Sequence, residues 1–185
     1  MAVTLARQLF TVNDYYKMAE TGILAADDKV ELLDGEVVQM SPAGSYHASV
    51  VDFLNRFFNR QTQVDAIVRV QSPIRLDDYS EPEPDLALLR LKDDFYQSLH
   101  PKASDVFLLV EVADSSLEKD MFVKIPLYAK TGIPEVWIVD LTARVVHVFR
   151  NPSEGEFQSR TIFSENDRLA PSAFPDAALS IDSLF

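Results

Sequence analysis

The chain has 185 residues, is 47% hydrophobic and carries a formal charge of -12. That suits one compact domain over 1–185, and its acidity argues against generic adhesion to nucleic acid or anionic membrane while leaving room for a local basic patch. The absence of cysteine removes disulfides, thiolate nucleophiles and zinc–thiolate centres, so only oxygen and histidine ligands remain.

The chain opens without a basic region followed by an apolar signal core, and no run of about 18 apolar residues occurs. The expected location is cytoplasmic, with no membrane as partner. Residues 1–8 show little pattern and read as a loose arm. Thr11 can cap a helix over residues 12–20, with Asp14 completing a weak capping box and Gly22 ending it. The next stretch, VELLDGEVVQM, is a hairpin signal, because Asp34-Gly35 favours the tight turn between alternating strands. A two-residue turn sets Leu33 opposite Glu36 and Glu31 opposite Val38, so both glutamates share one face. The ordinary reading of that face is the solvated side of an edge hairpin.

After a loop at 41–45, a helix is expected over 47–59 with Val50, Val51, Leu54, Phe57 and Phe58 as its apolar stripe. His47 sits in its first turn, where the helix dipole disfavours protonation. It reads first as a surface or locally hydrogen-bonded histidine and second as a site residue. Residues 64–70 and 71–76 suggest one long or interrupted strand, with Pro73 favouring an edge or bulge. Acidic turn material at 77–83 leads to an apolar strand at 84–89 with Asp85 at its entrance, and 90–104 reads as a charged insertion or lid-like loop.

The run 106–112 is apolar on both sides except for Glu111, so it reads as a central strand buried on both faces. Short polar residues at 113–116 then favour a turn and the start of a helix. In that helix Ser116, Asp120, Lys124 and Tyr128 recur at every fourth position as one slowly drifting face, while Met121, Phe122, Ile125 and Ala129 supply packing groups. Pro126 removes an amide hydrogen and predicts a kink or local irregularity; Gly132 and Pro134 stop the helix. A strand over 136–140 completes a β-α-β unit. Beyond it come a strand at 145–149, with His147 structural on the outer sheet face, a turn at 151–155, a possible strand at 157–163 and a tail that wraps the domain.

Asp85 and Glu111 can converge if their strands are neighbours, with Lys124 on the following helix and a hairpin carboxylate close by. A buried Glu111 needs a cation, proton or hydrogen-bond partner. Hard oxygen ligands suit Mg²⁺ or Mn²⁺, and a metal beside a lysine is the chemistry of phosphodiester hydrolysis. The structural alternatives are a buried Glu111–Lys124 ion pair, an Asp85 that accepts backbone hydrogen bonds, and a Lys124 paired with Asp120 on an exposed helix.

The segments VELLDGEVVQMSPAGSYH, EPEPDLALL and LLVEVADSSLEKDMFVKIPLYAKTGIPEVWIVD resemble the Uma2-like family of restriction endonucleases, a branch of the PD-(D/E)xK nucleases. The resemblance covers most of residues 10–150. It implies an α/β (α+β) restriction-endonuclease-like mixed β-sheet flanked by helices, with an N-terminal β-hairpin and a divalent-metal site. Carried onto this chain, it places the metal ligands on Asp85 and Glu111, an upstream acidic residue on Glu31, and Glu36 in the same hairpin motif. The superfamily's usual lysine lies two residues after the glutamate, where this chain has Ala113, and the resemblance points instead to Lys124. Gln71 fits the strand before the aspartate, as a residue that touches substrate or orients a carboxylate.

The expected activity is Mg²⁺-dependent (or Mn²⁺-dependent) endonuclease cleavage of DNA by a homodimer. Asp85, Glu111 and the Val112 carbonyl would hold the metal, Lys124 would face the scissile phosphate, and Glu31 would be a third acidic contributor. Glu36, His47, Gln71, Asp120 and Tyr128 are candidates for supporting or substrate contacts. The competing expectation is a nuclease-like binding or regulatory protein without turnover.

Overall fold

The computed structural model describes residues 7–25, 27–62 and 65–185. The arm expected over 1–8 therefore falls largely outside the described residues, as does the first residue of the strand expected over 64–70. Helix α1 (Val12–Glu20) starts with a full capping box: the Thr11 hydroxyl accepts from the Asp14 amide at 3.1 Å, and the Asp14 carboxylate accepts from the Thr11 amide at 3.1 Å.

The hairpin of β1 (Val30–Leu33) and β2 (Glu36–Gln39) has the expected register, Leu33 opposite Glu36 and Glu31 opposite Val38. Asp34 and Gly35 both adopt left-handed conformations (φ 46° and 80°), as the turn demands. The solvated-face reading fails for β1. Glu31, Leu32 and Leu33 are all buried, because the segment before β4 runs alongside: Glu81 donates its amide to the Leu32 carbonyl at 2.8 Å, and Gly35 donates to Tyr79 at 2.7 Å. The same reading holds for Glu36, which is exposed and pairs with Arg7.

One six-stranded sheet has the order β3-β4-β5-β6-β7-β8, comprising β3 (Ile67–Val70), β4 (Leu86–Leu89), β5 (Val106–Ala113), β6 (Glu135–Asp140), β7 (Val145–Ser153) and β8 (Glu156–Phe163). Only β5 and β6 run parallel, and the helical segment between them makes the crossover that parallel neighbours require. β3 is, with β8, one of the two edge strands. It stops at Gln71, whose φ is 43°, just before Pro73, which has no ladder hydrogen to give.

Alternation along β5 divides the core. Leu108, Val110 and Val112 meet the stripe of α2 (Ser45–Thr62), namely Val50, Val51, Leu54 and Phe58, whereas Leu109 and Ala113 pack with Ile125, Tyr128 and Ile133 on the other face. Burying each large apolar side chain contributes about 1.5–3 kcal/mol, which is what holds the two helical layers against the sheet. The tail also wraps the domain: β9 (Arg168–Leu169) pairs with β10 (Leu179–Ser180), and Leu169, Leu179, Ile181 and Leu184 close the α2 side.

The crossover is irregular where Pro126 demanded it. α3 (Leu117–Lys119) passes into a π-helical turn, Asp120–Lys124, in which the Ile125 amide reaches back five residues to the Asp120 carbonyl, and α4 (Ile125–Lys130) follows. Proline offers no hydrogen to continue the ladder, and the wider turn accommodates that loss. It also corrects one expectation: Phe122 is 77% exposed rather than a packing group, because the widened turn presents it to solvent with Val123. His147 is likewise buried rather than on an outer face, in a row with Glu111, Ile138 and Ile162 across four strands. Among the described residues no helix is long and apolar enough to cross a membrane.

Candidate active site

β4 and β5 are antiparallel neighbours, which brings Asp85, just before β4, beside the end of β5. One oxygen of Asp85 accepts from the Val112 amide at 2.8 Å and contacts His47 Nε2 at 3.1 Å; the other accepts from Gln71 Nε2 at 3.4 Å. Glu111 projects from β5 towards the crossover helix. Lys124 Nζ lies 3.1 Å and 3.2 Å from its two oxygens, and the Tyr128 hydroxyl donates to Oε1. The same ammonium lies 3.1 Å from Glu31 Oε2. Glu31 therefore reaches the centre from the hairpin, with Lys119 at 2.9 Å from Oε1 and the Glu83 amide at 3.2 Å from Oε2.

These groups line one small cleft of about 70 Å³, whose outer wall is the loop at 40–44. Glu31, Asp85, Glu111, Val112 and Lys124 all line it, as do His47 and Asp120, with the Asp120 carboxylate accepting from Ser116 Oγ at 2.7 Å. Tyr128 stands behind Glu111, fully buried, and Gln71 contacts Asp85 without lining the cleft. Glu36 alone among the sequence candidates stays outside, because its position in β2 points to solvent and Arg7.

The electrostatics are lopsided. Six carboxylates line the cleft (Glu31, Glu83, Asp85, Glu111, Asp114 and Asp120) against two ammonium groups, Lys119 and Lys124. Burial pushes Glu111 up to about 8; Lys124 pulls against this, and Asp120, Asp85 and Glu31 add repulsion. Burial alone would lower Lys124, yet Glu111, Glu31 and Asp120 outweigh it and hold the ammonium charged. Burial would likewise raise Glu31, but Lys124 and Lys119 together bring it below the usual carboxylate value. The hydrogen bond with Asp85 raises His47 against the opposing effect of burial, with the charges of Asp85, Asp114 and Asp120 adding to it. His47 Nδ1 is buried without a hydrogen-bond partner.

One buried ammonium is divided here between two buried carboxylates with two more close by, so negative charge exceeds positive. That surplus of oxygen donors, with no sulfur, fits a hard divalent cation. Among the described residues no three His, Asp or Glu side chains already converge on one point as ligands. The Val112 carbonyl is well placed to join them. Ala113 accepts from Leu141 on the β6 side, so by strand alternation Val112 faces the β4 side, where the continued register brings Pro84, which has no amide hydrogen to donate.

A mixed sheet with acidic side chains and a lysine gathered at the end of its central strands defines a restriction-endonuclease-like fold. The chain belongs to the Uma2 family, described as "Putative restriction endonuclease", whose family model matches residues 12–182. Among solved structures it is similar to a putative nuclease belonging to DUF820 from Anabaena variabilis ATCC 29413, with a TM-score of 0.75 and 17% identity, over 95% of this chain and 97% of that one. No curated protein matches it in sequence.

Sequence reasoning missed Lys119, Glu83 and Asp114. On an ordinary helix Lys119 and Lys124 stand about 140° apart, five steps of about 100°. The π-helical turn between them lets both reach Glu31, and Pro126 was its visible signal. Glu83 and Asp114 sit in turns whose polarity looked sufficient to explain them.

Proposed function

We propose that this cleft hydrolyses phosphodiester bonds of DNA with Mg²⁺ or Mn²⁺ as cofactor, the chain acting as a single nuclease domain. One observation carries the reading: the buried Lys124 ammonium shared by Glu111 and Glu31, beside Asp85 from the neighbouring strand. The family description and the structural likeness support it. Asp85, Glu111 and the Val112 carbonyl would hold the cation, which when bound acidifies water and neutralises phosphoryl oxygens. Lys124, kept charged, stabilises the charge that develops on the phosphate. Glu31 steadies Lys124 from the hairpin, Lys119 balances Glu31, and Tyr128 orients Glu111. His47 and Gln71 fix the Asp85 carboxylate, one at each oxygen.

With a net charge of -12, the protein gains little from global steering, so local contacts or a second copy must supply substrate affinity. A homodimer would set two clefts across a duplex. The test is cleavage of varied DNA and RNA with Mg²⁺, Mn²⁺ or chelator by wild type, Asp85→Asn, Glu111→Gln and Lys124→Ala. Divalent-dependent cuts in DNA that vanish in all three folded variants are expected; cuts that persist in Glu111→Gln sink its metal role.

A second reading has its own observation: Lys124 already engages both Glu111 oxygens, as a closed structural pair would. In that case the protein binds nucleic acid or a partner without turnover. Inactivity of the wild type on every substrate with either metal would favour it.

A further inference from the structure

A second cavity, about 580 Å³ and thus far roomier than the cleft, lies where α1 meets the loop that follows β4. Its volume falls in the range of small-molecule sites, about 300–1,000 Å³. Two of its walls are aromatic: the Tyr16 and His100 rings are nearly parallel (10°), with centroids 6.5 Å apart, more than the roughly 3.4 Å step of stacked bases. His100 Nδ1 is buried with no hydrogen-bond partner. Arg75, which pairs with Asp78 at 3.1 Å, and Lys102 line the cavity as cations, while Asp77 and the buried Glu81, which accepts from the Tyr16 hydroxyl, line it as acceptors.

This combination selects among ligand chemistries. An apolar molecule would give the charged groups no partner beyond the Arg75–Asp78 and Tyr16–Glu81 contacts they already make, and a bare anion would face the carboxylates. A planar heterocycle with N–H donors and an attached phosphate satisfies stacking, acceptors and cations together. The roof over the cavity is also stiffened. Phe95 and Tyr96 hold consecutive left-handed conformations (φ 48° and 60°), costly for aromatic residues, and Tyr96 is pinned by its hydroxyl donating to the Arg90 carbonyl at 2.8 Å. Lys92 and Arg69 sit 4.9 Å and 5.6 Å from the centroid of its ring.

The cavity is tied to the cleft through one stretch of backbone. Glu81 lines the cavity and bonds to Leu32, whereas Glu83 and Asp85 line the cleft. Glu81 and Asp85 are separated by at most about 13 Å of extended chain, the length of about four stacked nucleotides.

We propose that this cavity is a nucleotide-recognition site that stacks a base against Tyr16 and His100, reads guanine N–H groups with Glu81 and Asp77, and meets phosphate with Arg75 and Lys102. It rests on the nuclease reading only for the role it serves there, which is to hold a base of the substrate strand beside the scissile phosphate. A free nucleotide carries the same chemistry, so the test has two arms, both in chelator to prevent cleavage.

In the first arm, dGMP and dTMP are titrated calorimetrically into wild type and His100→Ala. In the second, a short labelled single-stranded oligonucleotide with one guanine, and its abasic counterpart, are bound by anisotropy. Binding of free dGMP about tenfold tighter than dTMP, and lost by about tenfold in His100→Ala, supports the site with a free nucleotide as occupant. Weak dGMP binding, with oligonucleotide affinity falling about tenfold on either base removal or His100→Ala, supports it with the substrate strand as occupant. Affinity independent of His100 in both arms overturns it. If thermal unfolding shows that His100→Ala has lost its fold, Lys102→Ala replaces it in both arms. Absence of cleavage with this binding intact refutes the cleft assignment alone, and cleavage without this binding refutes the cavity alone.

Discussion

Two glutamates are almost wholly buried near opposite ends of the same sheet, and they differ in what surrounds them. Glu135, at the start of β6, is closed: Oε1 accepts from Trp137 Nε1 at 2.6 Å and Arg150 at 2.8 Å, and Oε2 accepts from the Ser172 amide at 2.8 Å. One carboxylate meets one guanidinium, and the tail is fastened to the sheet as a result. Glu111 has a matching ammonium in Lys124, but that ammonium is shared with Glu31, and Asp85 and Asp120 add negative charge beside it. Burial of a carboxylate therefore does not by itself mark a functional centre; the proposed function rests instead on the charge left unbalanced around it.

The largest expected effect breaks this comparison at the cleft. Glu111→Gln should lower metal-dependent cleavage by about 10³-fold or more, while leaving stability unchanged or raised, since the amide relieves repulsion that the carboxylate carries. Cleavage rates and urea unfolding of the same preparation check both halves. Glu135→Gln should do the reverse. It weakens a charged hydrogen-bond pair, half-open on the Arg150 side, and should cost about 2–3 kcal/mol of stability with cleavage per folded molecule intact. A Glu135 variant that is stable but inactive would erase the distinction.

The unequal legibility of these centres in the sequence has a physical cause. Glu111 stood out because a charge in an otherwise apolar strand conflicts with its surroundings, whereas Asp85 and Lys124 took their expected roles from the family resemblance, with strand adjacency the condition for their convergence. Glu135 follows Pro134 at a strand entrance, where a polar residue is ordinary, and its burial depends on Arg150 and on a tail 37 residues away. The solvated-face reading of Glu31 failed for a related reason: alternation within a hairpin reports which residues share a face but not what meets that face, and what meets Glu31 is Lys119 and Lys124 from the crossover. The six-stranded sheet and the crossover were legible because their signals are local and periodic, whereas the contacts that decide charge balance are not.

A smaller effect sharpens the comparison through the cation itself. Mg²⁺ or Mn²⁺ at roughly tenfold above its Kd should stabilise wild type by about 1.4 kcal/mol, because binding to the folded state alone shifts the unfolding equilibrium. Thermal unfolding of Asp85→Asn should lose this increment, and that of Glu135→Gln should keep it. An increment that survives in Asp85→Asn would locate the cation elsewhere.

The smallest effect concerns the histidines, which shift in opposite directions. His47 in the cleft is raised by its hydrogen bond with Asp85, whereas burial lowers His147, the nearby Arg160 lowers it further, and Asp140, 4.0 Å away, opposes them. With the folded value of His147 depressed, the unfolded chain binds its proton more readily. Its neutral form is therefore fully accommodated above the ordinary imidazole value of about 6.5, and stability is lost as pH falls below it towards the folded value. His147→Gln should flatten this acid-side decline in urea unfolding between about pH 7 and pH 5. His47 acts in the adjoining window: its raised folded value gives stability that is fully present below about pH 6.5 and is lost as pH rises above it, so the His147→Gln change should leave that part of the slope in place. A His147→Gln protein with an unchanged slope would mean that the folded imidazole binds its proton as readily as the unfolded chain does, with Asp140 cancelling burial and Arg160.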